Sequence, residues 1–231
     1  MKIAIMGAMV EEIEPLLKFL GDYETIKVAG NTYYKATYKD LELIIAYSKI
    51  GKVFASLTAS TMIEKFGAEK LLFSGVAGAI NPKLKIGDLI AATSLCQHDL
   101  DITAFGHPFG YVPEGKVFIQ SDKTLLGIAK EVASDLDREL LEGIIATGDQ
   151  FVADESRKNW ISDTFGADAL EMEGASVAVV CDALEVPFFI LRAISDSADM
   201  DAGFSFEEFL ETSAKESADF VICMLDKLAT K

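Results

Sequence analysis

Apolar and polar positions along this chain follow two different periods. Short runs rich in apolar and β-branched residues, bounded by glycine or polar residues, predict strands. These runs cover residues 2–6, 32–38, 41–48, 71–74, 89–95, 143–147, 169–172 and 188–194. A turn is predicted at Gly7, followed by a helix that ends near Gly21. Further helices are predicted over 53–66, over 174–184, and from a capping box formed by Ser205 and Glu208 onward.

Strands interleaved with helices predict an α/β fold, with a largely parallel sheet covered by helices on both faces. The 231 residues contain no Pro/Gly/Ser linker, no low-complexity segment and no internal repeat. A single domain over residues 1–231 is therefore expected. The hydrophobic share of 50% and the charged share of 25% are typical of a globular protein, so composition adds no further constraint.

Charge and cysteine content restrict the partners and the compartment. The net charge of −16 argues against nucleic acid and anionic membrane surfaces as partners, because both would repel the chain. No apolar stretch approaches the roughly 20 residues of a membrane span, and Glu11, Glu12 and Glu14 follow the first apolar run too closely for a signal peptide. Three cysteines without a CxxC pair favour a reducing cytoplasm.

The strand exits predict where a ligand binds, since ligands of such sheets occupy the crevice outside the carboxyl ends of the strands. Phe151 at one exit suits stacking on a planar heterocycle, although a phenylalanine after a strand is more often part of the core. Five exits carry polar or glycine-rich residues and are expected to meet in one crevice. They are residues 7–12, 74–78, 148–152, 171–173 and 195–196.

Acidic residues stand at three of these exits, and each has a structural alternative. Glu12 could act as a base, or could belong to the carboxylates that a helix N-terminus favours. Glu171 and Glu173 lie between a predicted strand and an apolar helix, so at least one is expected to face a ligand or partner; decoration of the helix start is the alternative. Asp196 could hold a proton near neutral pH in a partly dry site. It could equally be an N-cap or a partner of Arg192.

Other kinds of site lack their signatures. Gly51-Lys52 has neither the upstream glycine nor the following Ser/Thr of a P-loop, and the chain has no GxGxxG motif. With only His98 and His107 as histidines, a zinc site and a serine–histidine triad are both disfavoured. The residues therefore predict no metal.

Taken together, these segments resemble the 5'-methylthioadenosine/S-adenosylhomocysteine nucleosidases, which have the purine nucleoside phosphorylase-like fold. The resemblance extends over essentially the whole chain. It implies a three-layer αβα sandwich with a central mixed sheet, a homodimer, and no metal or organic cofactor. The matching motifs are Gly7-Ala8-Met9 with Glu11-Glu12, Ser48-Lys49-Ile50-Gly51-Lys52-Val53, Gly75-Val76-Ala77-Gly78, Asp101-Ile102-Thr103-Ala104-Phe105-Gly106, Gly148-Asp149-Gln150-Phe151, Glu171-Met172-Glu173, Arg192-Ala193-Ile194-Ser195-Asp196 and Ser205-Phe206-Glu207-Glu208-Phe209.

The resemblance also implies residue roles. Glu12 would activate the attacking water, Glu173 would bind the ribose hydroxyls, and Asp196 would donate a proton to N7 of the purine. Arg192 would steady these acids, and Phe151 would stack on adenine. The other implied substrate-binding residues are Met9 and Met172 against the sugar, Ala77, Gly78 and Val152 toward the base, and Ile50 with Phe105, His107 and Pro113 of a second subunit around the 5' substituent. Ser195 is also implied to bind the substrate.

Two departures from the family pattern bear on the substrate. His107 stands near the expected 5' pocket where the family often has an aromatic residue, so a larger or more polar 5' group is expected to fit. Val76 stands where a small polar residue is common. Together with Gly174-Ala175-Ser176, it resembles the subgroup that also cleaves 6-amino-6-deoxyfutalosine in a menaquinone route.

Cleavage of an N-riboside needs an acid and bases in opposite protonation states at one pH, so their environments must differ. The helix starting near Gly174 is expected to keep Glu173 ionised, because its positive end faces that acid. Asp196, beside an apolar strand, is expected to have the raised pKa.

Hydrolysis and phosphorolysis are the closest alternatives for the reaction. The chain has only three arginines and no cation between Lys2 and Lys18, so the first strand exit offers glutamates where phosphate would need positive charge. Lys49 and Lys52 keep the question open. The alternatives are thus a phosphate-dependent purine or uridine phosphorylase of the same fold, and a nucleoside-binding protein without catalysis.

Overall fold

The computed structural model describes residues 1–198 and 201–229. Within these residues, ten strands form one mixed sheet and six α-helices pack around it. The strands are β1 (Lys2–Gly7), β2 (Glu24–Val28), β3 (Asn31–Tyr38), β4 (Leu41–Tyr47), β5 (Lys70–Ala79), β6 (Leu89–Gln97), β7 (Ile119–Gln120), β8 (Leu140–Thr147), β9 (Ala169–Glu171) and β10 (Phe188–Asp196). The helices are α1 (Val10–Leu20), α2 (Lys52–Ser60), α3 (Lys123–Asp135), α4 (Glu155–Phe165), α5 (Gly174–Ala183) and α6 (Ala202–Ala229).

The long strand β5 is the centre of the sheet. On one side it pairs with β1, which continues through β4 to the antiparallel strands β3 and β2. On the other side it pairs with both β10 and β9. Since β10 continues through β6 and β8 back to β9, these five strands close into a ring. The α/β class and the central mixed sheet surrounded by helices are confirmed, and the ring is an addition that the pattern did not indicate. The largely parallel sheet expected from the alternation of strands and helices is wrong, because five of the ten strand pairings in the described residues are antiparallel.

Two apolar cores cover the two faces of the sheet. Successive side chains of β1 point to opposite faces of the sheet. Ile3 and Ile5 belong to the core beneath α1, α3 and α6. Ala4 and Met6 belong to the core beneath α2 and α5. Strands buried on both faces read as continuous apolar runs, which explains why the pattern located them correctly.

Several elements differ from the sequence-based expectation. The predicted capping box at Ser205 is wrong, because α6 begins at Ala202 and the Ser205 N–H donates to the Asp201 carbonyl at 3.0 Å. The elements β2, β7, α3 and α4 were not predicted. The helix α4 buries only Ile161 and Phe165, so its apolar period is weak. No helix in the described part of the chain is long and apolar enough to cross a membrane.

Candidate active site

A cavity of about 280 Å³ lies at the carboxyl ends of the strands. The structure brings all five predicted exits together there, and adds Ile50, Leu170 and Phe206 from other segments. Its lining consists of Ala8, Met9, Glu12, Ile50, Val76, Ala77, Gly78, Gln150, Phe151, Val152, Leu170, Glu171, Met172, Glu173, Ser195, Asp196 and Phe206. The carboxyl groups of Glu12, Glu173 and Asp196, which are distant in sequence, therefore share one cavity.

Glu12 lies in the first turn of α1 and folds back over the strand exit. One of its carboxylate oxygens accepts the N–H groups of Ala8 and, at 3.0 Å, Met9. The other oxygen accepts the N–H of Val76 from β5 at 3.0 Å. Burial raises the pKa of Glu12, while the nearby Arg192 charge and the three N–H groups oppose that shift. Glu12 thus caps a helix and also faces the cavity. Its interpretation as a helix-capping carboxylate is therefore compatible with its interpretation as a base.

Two glycines of β5 allow the carboxylates to approach the strand. A Cβ at Gly75 would lie 2.7 Å from Glu12 Oε1, and a Cβ at Gly78 would lie 2.7 Å from Asp196 Oδ1. Both distances are shorter than a side chain tolerates. A glycine inside a strand often marks such a close approach, so the Gly75-Val76-Ala77-Gly78 motif has a steric reason.

Glu171 occupies the positive end of α5. Its carboxylate accepts the N–H of Gly174 at 2.7 Å and that of Glu173 at 3.2 Å, and also the hydroxyl of Thr147. Arg192 Nη2 donates to the same carboxylate at 2.7 Å. Both partners of this ion pair are almost fully buried, with exposed fractions of 1% and 4% for their side chains.

Arg192 does not line the cavity. Besides Glu171, its guanidinium donates to the carbonyls of Phe73 and Leu191, and it lies 4.1 Å from the centroid of the Phe73 ring. The structure therefore places Arg192 beneath the acids, where its charge acts on Glu12 and Glu173 without contact with the cavity.

Glu173 does not use the positive end of α5, and the expectation that this helix keeps it ionised is wrong. The N–H of Gly174 is taken by Glu171, and the Glu173 carboxylate instead accepts the N–H of Gly51 at 2.7 Å. Burial and then the Glu171 charge raise the pKa of Glu173 to about 8. The Gly51 N–H and the Arg192 charge offset only part of this rise in pKa, and the charge of Glu12 adds to it.

Asp196 reaches the cavity through an irregularity at the end of β10. The pairing register with β5 shifts between Ile194 and Asp196, and such a bulge redirects side chains. Asp196 Oδ1 accepts the N–H of Ala198 at 2.8 Å, and Oδ2 accepts the hydroxyl of Ser195 at 2.9 Å. Asp196 is buried, so both oxygens are held while the carboxyl faces the cavity.

Another part of the lining is aromatic and exposed. Phe151 is 50% exposed and packs edge-on against Phe206, with ring centroids 5.6 Å apart. Ile50 beside them is 54% exposed. Phe206 stands in a motif that matches the family, but sequence reasoning gave it no role, since its helix begins far along the chain from Phe151. This wall can enclose a flat ring but leaves one side of the cavity uncovered.

Phe105, His107 and Pro113 do not line the cavity of this chain. They stand on the segment between β6 and β7, where all three are exposed, Phe105 to 81%. The His107 ring stacks on Tyr111, with centroids 4.6 Å apart. Their assignment to the pocket of a second subunit remains a prediction.

Among the residues that the structure describes, carboxyl groups are the only charged groups that line the cavity. Among the described residues that line it there is no lysine, arginine or histidine. His98 is buried outside this lining, and Arg157 Nη2 lies 3.1 Å from its Nδ1. Across residues 1–198 and 201–229, no group of three histidine, cysteine, aspartate or glutamate side chains has the arrangement of a metal site.

Comparison with known proteins gives consistent matches over the full chain. The family model described as the Phosphorylase superfamily matches residues 2–226. The aminodeoxyfutalosine nucleosidase of Campylobacter jejuni is 62% identical over 228 residues, which cover 99% of this chain and 100% of the relative. The 5'-methylthioadenosine/S-adenosylhomocysteine nucleosidase of Bacillus cereus is 38% identical over 230 residues, covering 99% and 100%.

Solved structures match equally well. The 5'-methylthioadenosine/S-adenosylhomocysteine nucleosidase of Helicobacter pylori with butyl-thio-DADMe-Immucillin-A has a TM-score of 0.97 at 52% identity, over 98% of each chain. A structure of the corresponding Campylobacter jejuni enzyme has a TM-score of 0.94 at 62% identity, over 98% of this chain and 99% of that one.

The close approach at Gly75 gives a first prediction. In Gly75→Ala the new methyl group would displace the Glu12 carboxylate, so we expect turnover of 5'-methylthioadenosine to fall by on the order of 100-fold. The far-ultraviolet circular dichroism spectrum should be retained. Gly127→Ala is the matched control, because a Cβ there meets nothing within 4 Å and alanine favours the helix. Wild-type turnover in Gly75→Ala would contradict the steric reading of this glycine.

The raised pKa of Glu173 gives a second prediction. A carboxyl group whose pKa is raised by folding stabilises the folded chain at low pH. This contribution is lost as the pH rises from 4.5, the ordinary pKa of a glutamate, to about 8, the pKa of Glu173 in the folded chain. Glu173→Gln resembles the protonated form and escapes that loss. We expect it to melt several degrees above the wild type at roughly pH 9 and close to it at about pH 5.

The control for this experiment is Glu211→Gln, an exposed glutamate of α6. Thermal unfolding across the pH range measures both variants. A Glu173→Gln melting temperature that tracks the wild type at every pH would show that folding does not raise the pKa of this carboxyl.

Proposed function

Since this chain belongs to the Phosphorylase superfamily, and within it to the family of the aminodeoxyfutalosine and 5'-methylthioadenosine/S-adenosylhomocysteine nucleosidases, we propose that it hydrolyses the N-glycosidic bond of 5'-substituted adenosines. The substrates are 5'-methylthioadenosine, S-adenosylhomocysteine and 6-amino-6-deoxyfutalosine, and the products are adenine and the free ribose derivative. The first two substrates belong to methionine salvage and the third to menaquinone biosynthesis.

One observation carries this proposal: the carboxyl groups of Glu12, Glu173 and Asp196 line the same cavity. Breaking an N-riboside builds positive charge on the sugar and negative charge on the departing purine. A cavity lined by both aromatic side chains and carboxyl groups fits both halves of such a substrate.

The proposed location of the protein is the cytoplasm. The cysteines of the chain are free, and Cys96 and Cys181 are buried, which fits a reducing compartment.

The proposed reaction uses Asp196 as the acid. Protonated Asp196 donates to purine N7 as the bond between ribose C1' and N9 breaks, so the bonding electrons leave with a neutral purine. The hydrogen bonds from Ser195 and Ala198 hold its two oxygens during this transfer.

Glu12 takes a proton from the water that attacks C1'. Its raised pKa makes it a stronger base than an ordinary glutamate, and its three N–H partners keep the carboxylate in place. Glu173 accepts the hydrogen bonds of the ribose hydroxyls, and its negative charge counters the positive charge that develops on the sugar. The acid and the base exchange their protons with solvent after the products leave.

Water is the favoured nucleophile because the chain's cations near the cavity are already paired. Arg192 binds Glu171, and the Lys52 ammonium lies 2.6 Å from Asp99. Lys49 is exposed, and its ammonium lies 4.7 Å from the centroid of the Phe54 ring. Phosphate would have to enter a site that offers it glutamates, where its charge is repelled.

A second copy of the chain completes the 5' side of the pocket in this proposal. Beside the open wall at Ile50, the outward face of α2 exposes Val53, Phe54 and Leu57, and an apolar face of this kind suits a subunit interface. The segment carrying Phe105, His107 and Pro113 would come from the partner. His107 would then bring a hydrogen-bonding ring to the 5' group, which suits the more polar substrates.

Adenine release in phosphate-free buffer tests the reaction type. We expect turnover of 5'-methylthioadenosine without phosphate, and no change when millimolar phosphate is added. Strict dependence on phosphate would establish the phosphorylase instead. Tight binding of the nucleoside without any turnover would establish a binding protein.

Asp196→Asn tests the assignment of the acid. Asparagine keeps the shape of the side chain but has no acidic proton, so we expect adenine release to fall by about 10²–10⁴-fold with little change in the Kd of 5'-methylthioadenosine. Asp163→Asn, at an exposed position of α4, is the matched control. Retention of full activity in Asp196→Asn would remove this residue as the acid.

Mixing two impaired variants tests the shared pocket. Phe105→Ala should raise the KM, and Glu12→Gln should abolish the base. A mixed dimer would contain one site with native Glu12 and native Phe105. At low substrate we therefore expect an equimolar mixture to regain roughly a quarter of the wild-type activity, since half of the dimers are mixed and half of their sites are intact. No gain on mixing, with mixed dimers verified by differential tags, would contradict the second-subunit assignment.

A further inference from the structure

The N–H that binds Glu173 belongs to a segment with unusual backbone geometry. Gly51 is the N-cap of α2 and has a φ of 100°, and Lys49 two residues earlier has a φ of 78°. A lysine in the left-handed region is uncommon and is retained when surrounding contacts hold it. The position of the Gly51 N–H, 2.7 Å from Glu173 Oε1, therefore depends on whatever anchors this segment.

One anchor is the Lys49 N–H, which donates to the Ala8 carbonyl at 2.8 Å. Lys52 supplies a second anchor through both its backbone and its side chain. Its N–H donates to Asp149 Oδ1 at 2.8 Å. Its ammonium donates to Asp99 at 2.6 Å and to Gln97 at 3.2 Å, and lies 3.8 Å from the second carboxylate oxygen of Asp149. Asp99 in turn accepts the N–H of Asp149 at 2.8 Å.

These contacts join three segments that follow different strands. The start of α2 follows β4, Asp99 follows β6, and Asp149 follows β8. The side chains of Lys52 and Asp99 are both 17% exposed, so their ion pair is protected from most of the solvent. A charge-assisted pair in such a place is more rigid and stronger than one on the surface. None of the three charged residues lines the cavity.

We propose that Lys52, Asp99 and Asp149, here the Lys52 cluster, position the Gly51 N–H on the Glu173 carboxylate and so prepare that carboxylate to bind the ribose hydroxyls. This inference rests on the proposed function. The residues of the Lys52 cluster are positioning residues, since they act on the substrate only through Gly51 and Glu173.

The charges around Glu173 determine the direction of the effect. Glu171 at the end of β9 and Glu12 of α1 disfavour its ionisation, while Arg192 of β10 and the Gly51 N–H favour it. Losing the Gly51 contact removes one of these two favourable influences, and the pKa of Glu173 rises further. A larger fraction of the free enzyme then carries Glu173 protonated at neutral pH, so kcat/KM falls most at low pH.

Lys52→Met removes the ammonium while keeping the length of the side chain. We expect kcat/KM for 5'-methylthioadenosine to fall on the order of 10-fold to 100-fold near neutral pH, with the acidic limb of its pH profile moved to higher pH. Lys52→Arg should restore most of the activity. Lys49→Met is the matched control, because it removes a cation from the same segment without touching the Lys52 cluster.

A double-mutant comparison separates positioning from a general structural role. In a Glu173→Gln background, Lys52→Met should lower kcat/KM no further, because its target is already absent. Additive losses, or a loss that is equal at every pH, would overturn the proposal. If Lys52→Met does not fold, as judged by thermal unfolding, Asp149→Ala carries the test, since that side chain is 49% exposed.

The outcomes also distinguish this inference from the function on which it rests. A wild-type protein without phosphate-independent adenine release would defeat the proposed function. A wild-type protein that hydrolyses the substrate, together with a Lys52→Met variant of unchanged kcat/KM and pH profile, would defeat the Lys52 cluster alone.

Discussion

The burial of several carboxyl groups around one guanidinium is the constraint on which the site depends. Each charge removed from water costs several kcal/mol unless it is paired and hydrogen-bonded. Arg192 pairs directly with Glu171 and leaves Glu12 and Glu173 with backbone N–H groups as their closest partners. The pKa values of both remaining carboxyls are consequently raised. The fold thus tolerates an unfavourable arrangement of carboxyl groups at the cavity, and perturbed pKa values of this kind are typical of functional sites.

The same constraint explains the choice between water and phosphate. An anion at this position would meet carboxylates, and Arg192 beneath them is already paired with Glu171. A neutral water meets no such barrier, and a buried carboxylate with a raised pKa is well suited to take its proton.

The sequence predicts the location of the site better than its internal connections. The convergence of five strand exits follows from a general rule for parallel sheets, which applies to any side chain at those positions. Either Glu171 or Glu173 could accept the N–H groups at the start of α5. The choice depends on the residue at which β9 ends and the chain turns. That detail reverses the expected ionisation of Glu173, and no residue pattern encodes it. The contacts of Lys52 and Phe206 were missed for a similar reason, because they join segments that are far apart in the chain.

The strand ring of β5, β10, β6, β8 and β9 gives the carboxyl side of the pocket a support without free edges. Phe151 and Ile50, by contrast, stand on exposed parts of the lining. Substitutions on that exposed part can alter which ligands are accepted while the carboxyl groups keep their places. Divergence in substrate range is thereby separated from divergence in chemistry, and an inhibitor that engages only the inner half would be the harder one to escape by mutation.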